Sequence, residues 1–385
     1  MSRRMRVGYI CGLDERVVVN HRLTIDLRMY QMSGIGRYLQ TVMTTLVPKL
    51  NAGKIQILGN LTDFGCENWL RDSRIQVQEF RSPIFSIGEQ MAALRGLYRE
   101  SDLLWVPQYN IPLLYSGRML VTIHDVCHLA HPEVLGSDLQ RRYSRLLFRA
   151  VATRAEAILC DSEFTASEVQ RFLRIERSRI VVIYPNIAIP QPELDPIRPE
   201  IGSCGGPYLL AVGNIKKHKN LQSLIAAFHS IQGSMPHDLV IVGKQDGFMN
   251  SETALTNVST LMDGRVRFTG HISDQELRWY YQNADALIFP SVYEGFGYPL
   301  VEAMAERCPI ACSNISSLPE VAAGSALLFD PFDVQAIAAA LVRITTDQSL
   351  RTTLVESGLE RVKQFQGELC AEQTAAVINR VLERS

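Results

Sequence analysis

Short apolar runs bounded by turn residues recur along the first half of the chain, at 5–11, 54–59, 75–80, 102–106, 119–124, 157–160 and 180–184. Residues 22–28, Arg-Leu-Thr-Ile-Asp-Leu-Arg, read as a further extended segment. Helical stretches separate several of these runs. One follows Ser33-Gly34-Ile35-Gly36-Arg37-Tyr38 and continues to about Leu50. Another, 137–154, carries Leu139, Tyr143, Leu146, Leu147, Phe148 and Val151 as an apolar stripe. Strands alternating with helices predict a parallel sheet, and in such sheets function gathers at the carboxyl ends of the strands.

The pattern breaks where Pro185, Pro190, Pro192, Pro196, Pro199 and Pro207 stand with Gly202, Gly205 and Gly206. Such a segment does not hold regular structure and reads as a linker. The α/β pattern then restarts. Strands are expected at 208–212, 238–242 and 284–289, helices at 221–231 and 274–283, and closing helices at about 334–345, 350–364 and 368–383. A chain of 385 residues exceeds one comfortable core. The expected division is a first domain at 1–190, a linker at 191–207, a second domain at 208–366 and a terminal segment at 367–385.

Composition narrows the class. Hydrophobic residues make up 46% and the net charge is −1, which describes a globular protein and not a nucleic-acid binder. Residues 1–198 hold 25 Lys+Arg against 20 Asp+Glu, the remainder 14 against 20, so the halves carry +5 and −6 and are expected to meet different partners. The helix at 137–154 concentrates Arg141, Arg142, Arg145, Arg149 and Arg154. These form either a solvated face or a surface for anionic lipid or a diphosphate-linked acceptor. The apolar stretch near the N-terminus is too short for a signal sequence, and no stretch approaches a membrane span. The eight cysteines are scattered without a C-x-x-C pair, which predicts buried free thiols and a cytoplasmic protein. No Asp-x-Asp occurs, so no catalytic metal is expected.

The strongest chemical signal is 290–305, Pro-Ser-Val-Tyr-Glu-Gly-Phe-Gly-Tyr-Pro-Leu-Val-Glu-Ala-Met-Ala, which reads as a glycine loop leading into a helix with Pro299 in its first turn. Free N–H groups and the helix dipole there favour an anion. Glu294 lies in the loop, and Glu302 lies one turn into the helix among Leu300, Val301, Ala303 and Met304. An unpaired buried carboxylate is costly. Glu302 therefore caps its helix or pairs with a lysine, or both acids accept hydroxyls of a polyol ligand whose phosphates face the loop. Gly34 and Gly36 form a second loop before a helix, but Leu39 occupies the third glycine position of a dinucleotide fingerprint, which argues against NAD. Lys216, Lys217 and Lys219 precede the helix at 221–231 and form either an anion site or a solvated surface. His124 directly follows the 119–123 apolar run; a histidine there is ordinarily a structural hydrogen-bonder.

Glu294-Gly-Phe-Gly-x-Pro-Leu-x-Glu302-Ala-Met-Ala resembles the E-x7-E signature of retaining glycosyltransferases of family 4. The resemblance covers essentially the whole chain and is strongest from Tyr208 to Pro331. It implies the α/β GT-B fold: two Rossmann-like, doubly wound domains facing a cleft, with the last helix crossing back onto the first domain. Gly367 stands where the family has an aromatic, which implies a looser return. A nucleotide sugar would meet Gly34, Gly36, Gly213, Asn214, Lys219, Ile272, Glu294, Gly295, Phe296, Gly297 and Glu302. In that resemblance Glu302 accepts ribose hydroxyls, Glu294 acts at the sugar, Lys219 contacts the diphosphate, and His124 lies near the reacting sugar from the opposite domain. Asn214 and His218 stand where family members often have arginine. Gly-Ile-Gly-Arg-Tyr together with Asn314-Ile-Ser-Ser-Leu-Pro-Glu320 resembles bacterial mannosyltransferases of polysaccharide and lipopolysaccharide assembly. That implies GDP-mannose as donor, no metal, and a saccharide acceptor carried on a polyprenyl diphosphate. It also implies peripheral contact with the inner face of the cytoplasmic membrane through Arg141, Arg142, Arg145 and Arg149. A UDP-sugar donor, a sugar-nucleotide 2-epimerase and a non-catalytic nucleotide-sugar-binding partner stay open as alternatives.

Overall fold

The computed structural model describes residues 21–187, 195–199, 206–243, 264–365 and 367–384. The expected strand at 5–11, and 191–194 and 200–205 of the expected linker, lie outside the described residues.

Two parallel sheets organise the chain. The first contains β1 (Arg22–Asp26), β2 (Lys54–Gly59), β3 (Ile75–Glu79), β4 (Leu103–Val106), β5 (Met119–Ile123), β6 (Ala155–Cys160) and β7 (Ile180–Val182), in the order β3-β2-β1-β4-β5-β6-β7. The second contains β8 (Tyr208–Val212), β9 (Asp238–Val242), β10 (Val266–Gly270), β11 (Ala286–Phe289), β12 (Ile310–Ser313) and β13 (Leu327–Phe329), in the order β10-β9-β8-β11-β12-β13. Each sheet grows outward on one side, then crosses over and grows on the other. The reversals fall between β1 and β4 and between β8 and β11, and crevices in doubly wound sheets open at such points.

Burial explains why these runs became strands. Every residue of β4, β5 and β11 is buried, as strands covered by helices on both faces require. The one polar side chain in β5, Thr122, accepts a hydrogen bond from Trp105 Nε1 at 3.1 Å and so is not stranded in the core. The strands β12 and β13, four and three residues long, were not among the expected strands. Val266–Gly270 forms β10, which was not among the expected strands either. Helix starts follow local chemistry. Ser137 and Gln140 form a capping box on Asp138–Arg154, Ser273 and Glu276 do so on Asp274–Asn283, and Ser162 caps Glu163–Leu173. Cys160, Cys308, Cys312 and Cys370 are buried free thiols, whereas Cys66 is exposed.

The terminal helix Gly367–Leu382 lies against the helix Ser33–Leu46 of the first domain. The return is not loose. Cys370, Ala371, Ala375, Val377, Ile378, Val381 and Leu382 are buried in the same core as Leu39, Val42, Met43 and Leu46, and the two alanines let the helices approach closely. Asn379 Nδ2 donates to Lys49 O at 2.9 Å while its Oδ1 accepts from Asn51 N at 2.9 Å, which clamps the turn after the first helix. Replacing the fully buried Ile378 with alanine is expected to cost roughly 2–5 kcal/mol through lost burial and a residual cavity. Urea unfolding of the variant should show a lower midpoint for the first domain; an unchanged midpoint would mean this helix does not stabilise that domain.

Candidate active site

The carboxyl ends of β8 and β11 are neighbours, and the loops that leave them are tied together. Val292 N–H donates to His218 O at 2.8 Å. Asn220, in the left-handed region at φ 54°, sends its Nδ2 to Pro331 O (2.8 Å) and Pro290 O (3.3 Å). These tethers set Lys219 against Glu294, with Nζ 2.6 Å from Oε1 and the two side chains only 16% and 14% exposed. The lysine stem runs over Gly213, where an added Cβ would sit 3.3 Å from Lys219 Cε and the φ of +142° already disfavours a side chain. Asn214 is half-buried in the same loop. From the other flank, the Ser317 hydroxyl lies 3.0 Å from Glu294 O and 2.9 Å from Phe296 O. Gly297, at φ 105°, then starts the helix Tyr298–Ala305 with Pro299 in its first turn, as the sequence predicts.

Two residues of the expected donor set send their side chains into the core and meet the cleft by their backbone alone. Phe296 is 3% exposed, in an aromatic cluster with Tyr184, Tyr298 and Phe365, so its ring is occupied by the second core. Ile272 packs half-buried on that core.

Glu302 neither caps its helix nor pairs with lysine. Tyr281 OH donates to its Oε2 at 2.8 Å, and Arg37 of the first domain donates to its Oε1. The second arm of the Arg37 fork reaches Asp274 Oδ1 at 2.5 Å. The charge of Glu302, reduced by burial and helped by Asp274, holds the guanidinium firmly protonated. Arg37 follows Gly36, whose glycine is required because a Cβ would lie 2.6 Å from Tyr30 O. Gly34 has nothing within 4 Å of an added Cβ, so packing does not demand it.

The backbones of the two domains come into contact at Gly295. A Cβ there would fall 1.9 Å from His124 O, and its carbonyl accepts hydrogen bonds from Ser162 Oγ (2.6 Å) and Thr165 Oγ1 (3.0 Å). Beside it, Glu320 of the second domain accepts from the backbone N–H groups of Glu163 (2.7 Å) and Phe164 (2.9 Å), the open N-terminus of a first-domain helix. The site is therefore a seam between two sheets, with carboxylates, a lysine and an arginine facing one another.

Residues 196–361 match the family described as Glycosyl transferases group 1. The chain is 31% identical over 370 residues to O-antigen chain mannosyltransferase B of Escherichia coli, covering 90% of this chain and 95% of that protein. This chain is a group 1 glycosyltransferase. It is also 28% identical over 272 residues to O-antigen chain mannosyltransferase RfbU of Salmonella typhimurium, covering 70% of this chain and 72% of that protein. Sucrose-phosphate synthase of Thermosynechococcus elongatus shares the architecture with a TM-score of 0.74 at 19% identity, over 95% of this chain and 100% of that one. The two Rossmann-like domains are those of the GT-B fold.

In this glycosyltransferase His124 stands at the carboxyl end of β5. Register pairs Ile123 with Cys160, which sets the next residues, His124 and Asp161, side by side. His124 Nδ1 lies 2.7 Å from Asp161 Oδ2 and Nε2 lies 3.0 Å from Pro107 O. Both partners are acceptors, so each ring nitrogen carries a proton and neither is free for a sugar in this arrangement. Burial alone would lower the His124 pKa, but the Asp161 carboxylate and the Pro107 carbonyl outweigh it and raise it. His218 behaves oppositely: burial, with Lys219 and Lys216 nearby, lowers its pKa despite Glu294. It stays neutral near pH 7 and cannot replace a family arginine in charge.

Sequence reasoning missed Arg37, Asp161, Tyr281 and Ser317 as site residues. Arg37 had a signal in its place directly after the Gly-x-Gly loop. The others become neighbours only through register and helix packing.

Two outcomes follow. Because the His124 pKa is raised on folding, its stabilisation is full below the ordinary value of about 6.5 and is lost as pH rises through the raised value. The Tm difference between wild type and His124→Asn should therefore shrink from pH 6 to pH 9; a difference growing with pH would show a neutral ring. Gly295→Ala should lower kcat about a hundredfold while each domain stays folded, since the added methyl forces the seam apart. Steady-state kinetics beside circular dichroism would test this, and unimpaired turnover would mean the seam opens for catalysis.

Proposed function

We propose that the protein transfers mannose from GDP-mannose to a saccharide acceptor during assembly of a bacterial surface polysaccharide, with retention of anomeric configuration and without a metal. The observation that carries this reading is the Lys219–Glu294 pair at the switch point of the second sheet, with Glu302 seven intervening residues further on and turned to the same seam. Mannose is supported by the two relatives, each described as an O-antigen chain mannosyltransferase.

In this reading Glu302 accepts the ribose hydroxyls. The diphosphate lies over Gly213, Asn214, Gly295 and Gly297, where Lys219 and the backbone N–H groups meet the charge that builds on the leaving group. Lys216 and Lys217 are exposed at the mouth of that loop and supply the positive charge His218 lacks. Glu294 faces the sugar, accepting its hydroxyls or stabilising positive charge at the anomeric carbon. Gly34 and Gly36 close over the phosphates from the first domain. His124 acts as a positioning residue: its imidazolium holds Asp161 and Pro107 together, and its carbonyl seats Gly295.

A lipid-linked acceptor at the inner face of the cytoplasmic membrane is supported by the outer surface of the first domain. Arg142, Arg145 and Arg149 are exposed on one helix beside the exposed Leu139 and Leu146, and Ile87, Met91 and Leu94 are exposed on another. Basic and apolar groups together suit an anionic bilayer surface. Arg141 contributes less, since its guanidinium is held by Asp138 (2.5 Å) and Pro132 O (3.1 Å). Among the described residues, no helix is long and apolar enough to cross a membrane.

A panel of nucleotide sugars, assayed without metal for nucleoside diphosphate release, tests the reading. GDP release from GDP-mannose alone is expected, falling about a hundredfold or more in Glu294→Ala. Release only from a UDP-sugar would overturn the donor, and a strict metal requirement would overturn the metal-free mechanism.

A further inference from the structure

Arg37 is placed by the first domain and used by the second. Gly36 fixes the start of its helix against Tyr30 O, and both guanidinium hydrogen bonds then cross the seam to Glu302 and Asp274. The arginine is 34% exposed and Glu302 15%, so the pair is shielded without being sealed. A carboxylate offers about four lone-pair positions. Arg37 takes one on Oε1 and Tyr281 OH takes one on Oε2, which leaves one on each oxygen. Two adjacent free acceptors on a fixed carboxylate match the two donors of a vicinal cis-diol.

We propose that Arg37 is a positioning residue for the nucleotide: it reaches across the cleft to fix the Glu302 carboxylate, so that ribose recognition and domain closure become one event. The inference rests on the reading of Glu302 as the ribose acceptor. Tyr281 alone leaves the carboxylate free to rotate about its bond to Cγ. A second donor from the facing domain removes that freedom, and only when the cleft is shut. The planar fork matters, because it spans Glu302 and Asp274 together, which a lysine ammonium does with less directional hold. Asp274 is 81% exposed and serves to orient the guanidinium from outside. The opposite arrangement, a lock in which ribose must displace Arg37 from Glu302, makes the contrary prediction for affinity.

The test titrates GDP and UDP by calorimetry into wild type, Arg37→Ala, Arg37→Lys and Glu302→Gln, with small-angle X-ray scattering to read closure. For the nucleotide that wild type binds, Arg37→Ala should raise Kd about tenfold, the scale of one hydrogen bond to a charged group. In donor hydrolysis KM should rise by a similar factor while kcat at saturation stays nearly constant. Arg37→Lys should recover part of the loss, and in Arg37→Ala compaction should need about tenfold more nucleotide than in wild type. Tighter binding in Arg37→Ala would establish the lock and overturn the proposal, and an unchanged Kd would overturn it too. Unchanged nucleotide binding in Glu302→Gln would sink the ribose reading itself, which separates the two failures. If Arg37→Ala does not fold, Arg37→Lys decides alone, weaker binding supporting the proposal and unchanged binding overturning it.

Discussion

The absence of a side chain at position 295 is the constraint on which the rest of this structure depends. The loop after β11 can touch His124 O only because nothing projects from Gly295 into the 1.9 Å that a Cβ would leave. Once the backbones meet, polar groups around them find partners across the seam. Ser162 and Thr165 donate to the Gly295 carbonyl, and Glu320 receives the free N–H groups of the helix Glu163–Leu173. The Tyr293 ring enters the first-domain core between His131 and Phe164. A helix end that would otherwise need water is thus satisfied by the facing domain, which ties local folding to domain closure.

Charge is managed by pairing. Lys219 with Glu294, Arg37 with Glu302, and His124 with Asp161 each put opposite signs together at sites with limited water. Removing one member of such a pair strands the other charge, so the loss costs more than the intact pair contributes. The first domain repeats this device below the site. Arg28 bridges Asp26 and Glu89 at 2.5 Å each, and Asn110 Nδ2 lies 2.8 Å from both Glu89 oxygens. That network joins the ends of β1 and β4 to the helix Ile87–Leu94, and it supports the chain that leads to Gly34 and Arg37. Burial raises the Glu89 pKa, with Arg28 and Asn110 opposing the rise.

Much of the fold was legible because each signal was local. Residues 54–59, 208–212 and 238–242 became strands, and 221–231 and 274–283 became helices, over the expected spans. The starts of the helices after Ser137, Ser162 and Ser273 are set locally, because a cap needs only a hydroxyl and the next few N–H groups. The glycine-bearing loops also carried their meaning in sequence, since a close backbone approach or a φ as far positive as that of Gly213 or Gly297 favours glycine. The direction of the Phe296 ring was not legible, because the packing against Tyr184 and Phe365 that holds it in the core comes from residues far away in the chain.

By itself, then, the sequence determined two α/β domains, the glycine loops at the strand ends and the pair of carboxylates at Glu294 and Glu302. All of these depend on residues close together in the chain. The tertiary structure alone decided which groups those carboxylates face. Glu302 meets an arginine 265 positions away, and His124 meets Asp161 because β5 and β6 lie in register. Partner choice across such distances follows from strand order and domain closure, which are set by burial of whole faces and leave no mark on the spacing of any one motif.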